Sequence, residues 1–510
     1  MHVSRVLQRM LGLLSIILLI ITSLAPLAGP TYAVGNANPV VTISSPPTVF
    51  IGEPLALTVS FDNVSNDDTD VGFGPYVDLF LPAAGADGAG AAIDDGVTFI
   101  DASYLGTPVA VIGVPFICTT GSFIHPLTEL PASCPIDSQV VVLQLPFGSF
   151  TPGQPAAAIT VNAQMSDLAD LGVPLTIQAR GGFLYGNDPL DNPTTDPPVV
   201  GPTGSDSVTP VLLTIRKEYV GPEDETASGP NFPRRYRIIV DIADGQTITD
   251  FDIVDTLAPT IAFLQVVSTS PGGATIQTTP AVDVPAAAPN NELVVRFASI
   301  TGSLGDTDAV IEFEFYATHL AANGTNVLNP QTGDDVIADN NARGVGDWAP
   351  IDPRDPGAAR NAVADPVGPE HQLEIQSIAV QKGVQLLVDL GGAGYTPQDT
   401  VQYTIDFQIS DFFAFDQVVI TDVISDGQRF DAGFVPTLQV NGHSYVLAAA
   451  PFAAANYTVF LNADNNPATP ATDGSTTMTF RVSNELITRG QDGRLVGGCV
   501  PPAGTGAAPP

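Results

Sequence analysis

Few residues in this 510-residue chain are of types that do chemistry. It has three cysteines, five histidines and only two lysines, Lys217 and Lys382, beside 54 acidic residues. Cys118 and Cys134 bracket the segment TTGSFIHPLTELPAS. In an exported chain that spacing reads as a local disulfide, worth about 3 kcal/mol in the chain-entropy account. Cys499 is left over near the C-terminal end. His125, His319, His371 and His443 are scattered without metal-ligand spacing, and no Gly-x-Ser-x-Gly elbow, phosphate loop or paired Cys motif is present. Hydrolytic chemistry finds little support, and the chain is read as no enzyme. Three oxygen-rich loops, 63–72, 332–341 and 462–474, carry side chains of the kind calcium takes. The candidates are Asp67, Asp68, Asp70, Asp464 and Asp473. None lies in an EF-hand loop, and turns are rich in Asp and Asn for backbone reasons. Solvated turns are the default, and calcium is the one cofactor these loops bring into view. The sequons at Asn63, Asn323 and Asn456 matter only in a glycosylating host.

The lysines are placed by a repeat. In YTPQDTVQYTIDFQI, Val401, Tyr403, Ile405, Phe407 and Ile409 alternate with polar residues, the pattern of a half-buried antiparallel strand. FPRRYRIIVDIADG does the same with Tyr236, Ile238, Val240 and Ile242, and FIGEPLALTVSFDN with Leu55, Leu57, Val59 and Phe61. A second apolar strand follows each: GPYVDLFLP, TDFDIVDTLAP and DQVVITDVISDG. Tyr236 to Tyr403 and Asp255 to Asp422 are both 167 residues, and the lysines are 165 apart. A third pairing aligns VVVLQLPFGSF, ELVVRFASITG and TTMTFRVSNELITRG. Self-similarity at this period means tandem domains.

The predicted fold is all-β: tandem immunoglobulin-like antiparallel β-sandwiches. Gly 48 and Pro 46 serve many turns, while 44% hydrophobic residues supply cores. The boundaries are 34–195 for the first repeat, a linker at 196–212, 213–346 for the second, a linker at 347–370, and 371–510 for the third. From Phe480 only 30 residues remain, against 46 and 44 at the corresponding places in the first two repeats. The third repeat is therefore expected to lack its last strands and to leave a sheet edge open. Two explanations stand: the sequence continues in a longer protein, which also supplies a partner for Cys499, or another chain donates a strand.

Residues 1–33 read as an export signal: Arg5 and Arg9, the apolar run Leu11–Leu24, and PTYA ahead of a cut after Ala33. A retained anchor is the alternative, but the run is short for a membrane span. Loss of Arg5 and Arg9 with the leader takes the formal charge from −37 to −39. That argues against nucleic acid or an anionic membrane surface as partner, since both need a basic footprint.

The residues YTIDF after TPQDT, followed by VVITDVI, and FDIVDTLAP in the second repeat, resemble a repeat domain of unknown function in large, adhesin-like bacterial secreted and surface proteins. IRKEYV and DNNARG stand where that family has an upstream lysine and an Asn-x-Ala-like element. The first repeat departs most, having no lysine. The family in turn resembles the shaft domains of Gram-positive fimbriae, which form internal isopeptide bonds. The resemblance implies Lys217 as nucleophile, Asp255 as the assisting acid, and Asn341 (or Asn340) as the amide partner. The third repeat has Lys382 and Asp422 without an amide-bearing strand. The bland alternative is a lysine guarding a strand edge.

The expected function is that of a secreted or cell-surface structural or adhesive protein, a spacer or multivalent contact array. Its partners would be unidentified cell-surface or matrix components, with no membrane span once the leader is cut. The alternatives are the non-catalytic N-terminal region of a larger secreted enzyme, or a surface-layer component.

Overall fold

The computed structural model describes residues 37–85, 93–186, 196–222, 226–329, 334–338, 341–350, 361–363, 371–396, 398–425, 427–440, 442–461 and 474–499. The leader at 1–33, Asn340, Asp464 and Asp473 lie outside the described residues. Among the described residues, no helix is long and apolar enough to cross a membrane. The chain divides into two compact units, one ending at Val211 and one beginning at Leu212.

The first unit is built from β1 (Pro39–Ser44), β2 (Thr48–Phe50), β3 (Pro54–Asn63), β4 (Gly72–Pro82), β5 (Val97–Tyr104), β6 (Ser138–Gln144), β7 (Ala157–Met165), β8 (Leu175–Tyr185) and β9 (Val199–Val211). One sheet runs β1–β3–β7–β5, the other β2–β9–β8–β4–β6. Leu55, Leu57, Val59 and Phe61 all point inward from β3 and are buried. Residues 199–211, assigned to a linker by composition, instead form β9 and pair along β8. The Gly-Pro step at 201–202 falls where the register shifts. A proline costs no ladder hydrogen bond at such a bulge, so its presence did not break the strand.

The second unit holds two lobes. The first lobe contains β10 (Leu213–Gly221), β11 (Arg234–Ile242), β12 (Thr247–Thr256), β13 (Ile261–Ser270), β14 (Glu292–Thr301), β15 (Ala309–Ala317), β16 (Asp334–Ala338) and β17 (Asn341–Asp347). Its sheets run β10–β11–β15–β13 and β14–β12–β17, the latter extended at its two ends by Thr275–Thr278 and Asn361–Val363. Tyr236, Ile238, Val240 and Ile242 are at most 2% exposed, so period-two alternation buries one face of β11 completely.

The other lobe contains β18 (His371–Ile375), β19 (Ile378–Val388), β20 (Thr400–Ile409), β21 (Ile420–Ile424), β22 (Tyr457–Leu461), β23 (Thr476–Phe480) and α1 (Val482–Thr488). Here β19 pairs with β20, and a three-stranded sheet runs β21–β23–β22. The strand aligned with β14 stops at Phe480, and the next residues turn into α1. Val482 and Leu486, four apart on one helical face, pack with Val418, Ile420 and Leu495. None of Val401, Tyr403, Ile405, Phe407 and Ile409 is fully buried. Among the described residues β20 pairs only with β19, whereas β11 lies between β10 and β15.

Buried charge is spent on joining the two lobes. Arg234 is 1% exposed. Its guanidinium donates to Tyr219 Oη at 2.9 Å, to the Thr226 carbonyl at 3.1 Å and across to the Glu374 carbonyl at 2.8 Å. Asp411, also buried, accepts from the Asn231 backbone N–H at 2.7 Å and the Asn231 side chain at 2.9 Å.

Candidate functional site

Strand β10 turns Leu213, Ile215 and Lys217 toward the core, so an amine occupies an apolar place in the alternation. Lys217 lies opposite Ile238 of β11, and its side chain is 7% exposed. Strand β12 likewise turns Phe251, Ile253 and Asp255 inward, and Asp255 is completely buried. The two side chains meet between the sheets, with Lys217 Nζ donating to Asp255 Oδ2. The amine also sits over the rings of Tyr236, 4.5 Å from its centroid, and Phe313, at 5.5 Å. Tyr236 in turn stacks on Phe315.

This cage sets the proton chemistry. Burial pulls the Lys217 amine below its usual range, opposed in part by the charge of Asp255. Burial also raises the Asp255 carboxyl, opposed in part by Lys217. Both shifts favour a neutral amine beside a protonated acid, the pairing a nucleophilic amine needs. Asp255 Oδ1 is buried and has no hydrogen-bond partner among the described residues, leaving one oxygen of the acid to address a third group.

Of the two asparagines only Asn341 lies among the described residues. Strand β17 pairs with β12 so that Ala342 faces Asp255 and Asn341 faces Thr256. Ala342, Gly344 and Gly346 take the inward places, while Asn341, Arg343 and Val345 alternate with them and are only partly buried. Arg343 reaches the outer face to pair with Glu292 at 3.3 Å. Asn341 therefore falls on the face turned away from Asp255. By sequence pattern alone, the residue two before Ala342 is Asn340.

The pair recurs in the next lobe. Lys382 lies opposite Ile405, the counterpart of Ile238, and its Nζ donates to Asp422 Oδ1 at 2.7 Å. Nζ also sits 4.2 Å from the centroid of Tyr403, the counterpart of Tyr236.

The remaining candidates separate. Cys118 and Cys134 are joined, with sulfurs 2.02 Å apart, and pack with Phe80, Val140 and Val142. Asp67 accepts from the Thr69 N–H at 2.9 Å and hydroxyl at 2.7 Å, and Asp70 accepts from Ser65, so these carboxylates are engaged in their own turn. Asp68 is exposed in that turn. Among the described residues, no group of three or more His, Cys, Asp or Glu is placed to hold a metal ion.

One cluster gave no sequence signal. His125, inside the disulfide loop, places Nε2 2.8 Å from buried Asp78 Oδ1, while Arg180 donates to Oδ2 at 2.7 Å. The Leu127 and Thr128 N–H groups donate to His125 Nδ1, which makes Nε2 the donor to Asp78. This triad pins the loop to β4 and β8.

No protein-family profile matches the sequence, and no curated protein matches it. Among solved structures, the full-length major pilin SpaD of Corynebacterium diphtheriae is similar at 12% identity, over 81% of this chain and 77% of that one, with a TM-score of 0.22. The major pilin subunit BcpA of Bacillus cereus is similar at 10% identity, over 66% and 67%, with a TM-score of 0.20. The Actinomyces fimbrial adhesin FimA is similar at 13% identity, over 66% and 96%, with a TM-score of 0.16. At such TM-scores the likeness carries no weight of its own.

Proposed function

We propose that this chain is a non-enzymatic structural or adhesive protein of the cell surface or extracellular space, a spacer or multivalent contact array. We propose further that the lobe spanning β10 to β17 is closed by an isopeptide bond from Lys217. The observation that carries this reading is the buried Lys217–Asp255 pair in its aromatic cage, with one oxygen of the acid unpartnered. The chemistry balances without a cofactor. Neutral Nζ attacks the carboxamide carbon of the asparagine just ahead of β17, a new C–N bond forms, and the old one breaks. Asp255, as the protonated acid, donates to the developing oxyanion and then relays a proton to the departing ammonia. The register of β17 supports Asn340 over Asn341 as the partner. A bond joining the first strand of the lobe to its last would resist extension, a property suited to a spacer. The formal charge of −37 supports an extracellular surface and argues against nucleic acid.

Intact mass tests the bond. The protein is expected one ammonia lighter than its sequence with the Cys118–Cys134 disulfide included. The Lys217→Ala variant is expected at its full calculated mass. An unmodified parent mass would refute the bond.

A further inference from the structure

The lobe containing Lys382 repeats the pair of its neighbour but, among the described residues, lacks the strand that covers it there. In the neighbouring lobe, β12 has β14 on one edge and β17 on the other. Its counterpart β21 has β23 on one edge, with Asp422 opposite Met478 as Asp255 is opposite Leu293, two residues out of step with the sequence alignment. Among the described residues the other edge of β21, where β17 would lie, has no strand. The effect on the pair is measurable. Lys382 is 34% exposed against 7% for Lys217, and Asp422 is 9% exposed against 0% for Asp255. Among the described residues Asp422 Oδ2 is buried without a hydrogen-bond partner, as is Asp255 Oδ1. The amine, its aromatic seat on Tyr403 and the acid are thus assembled beside an unpaired strand edge.

We propose that this edge is a capture site for an extended peptide strand that carries an asparagine two residues before a small residue, and that Lys382 bonds covalently to that asparagine. The proposal rests on the isopeptide reading of the Lys217 lobe, which supplies the template. There, β17 places Ala342 opposite the acid and fills the next inward places with Gly344 and Gly346. A strand added at β21 would form main-chain hydrogen bonds along the open edge and put a small residue opposite Asp422. The asparagine two positions earlier would share the inward face with it. The reaction forms the bond from Nζ to the carboxamide carbon and breaks the carboxamide C–N bond. It releases ammonia, with Asp422 carrying the proton, and requires no oxidant or other reactant.

The probe is a synthetic peptide with the sequence of residues 338–348, ADNNARGVGDW. It is incubated with the whole chain, and mass is read before and after. The expected result is a gain of one peptide less one ammonia. That gain should be lost in Lys382→Ala, in the isosteric Asp422→Asn, and with a peptide whose two asparagines are alanine. A chain that binds the peptide only reversibly, fails to bind it, or still forms the adduct as Lys382→Ala overturns the proposal. The mass before addition reports the Lys217 bond separately. A chain one ammonia light yet inert to the peptide refutes capture and leaves that bond standing. A chain at full mass and inert refutes both.

Discussion

The repeat set Lys217 beside Lys382 at 165 residues and Asp255 beside Asp422 at 167, while their pairing as amine and acid was what the family resemblance implied. What spacing could not supply was the phase of β17. One residue decides which face a side chain takes, and the sequence DNNARG offers two adjacent asparagines. The His125–Asp78–Arg180 cluster was illegible for a different reason: its members are 47 and 102 residues apart in a repeat with no counterpart for them. At this scale the buried acid makes a pH prediction. In Lys217→Met the cation that opposes the upward shift of Asp255 is gone, while burial remains. The folded state then keeps its proton above 3.8, the ordinary carboxyl value, while the unfolded state loses it. The unfolded state binds fewer protons, so stability falls as pH rises from about 4 toward neutrality. Urea unfolding midpoints of this variant at pH 4 and pH 7 are expected in that order, the higher at pH 4. The reverse order contradicts a raised Asp255.

Among the elements, the strongly alternating strands β3 and β11 were readable because each has a sheet across from it that buries one whole face. Strand β20 has equal alternation in sequence yet stays half-buried, since alternation marks a face and cannot report how many strands cover it. Strand β9 was hidden by Gly and Pro, which the fold places at a register shift. The segment VSNELIT was aligned only as part of TTMTFRVSNELITRG, and the spacing of four between Val482 and Leu486 suits a helix once the strand has ended. Strand β17 makes the clearest test of packing. A Cβ on Gly344 would come 2.6 Å from Phe251 Cζ and 3.0 Å from Ile215 Cδ1. Gly344→Ala is expected to cost about 1–3 kcal/mol through overpacking, read as a lowered thermal midpoint for the second unit. A neutral effect would mean that β17 does not lie against the core as described.

For the whole molecule, the sequence conveyed an acidic, all-β, tandem-repeat protein. It did not convey that the second and third repeats share one compact unit, because the contacts that fasten them fall on isolated residues such as Arg234 and Asp411. A spacer of the proposed kind would act through shape and persistence, so the property to test is whether its lobes can be pulled open. The covalent tie proposed between β10 and the residue ahead of β17 would answer that question for the second repeat. Tryptic mapping tests it most directly, since trypsin cuts after a free lysine and not after an acylated one. The expected product is a branched species joining residues 217–234 to residues 297–343, with fragmentation placing the link between Lys217 and Asn340. Recovery of residues 218–234 and 297–343 as separate linear peptides, the first released by cleavage after Lys217, would contradict the account.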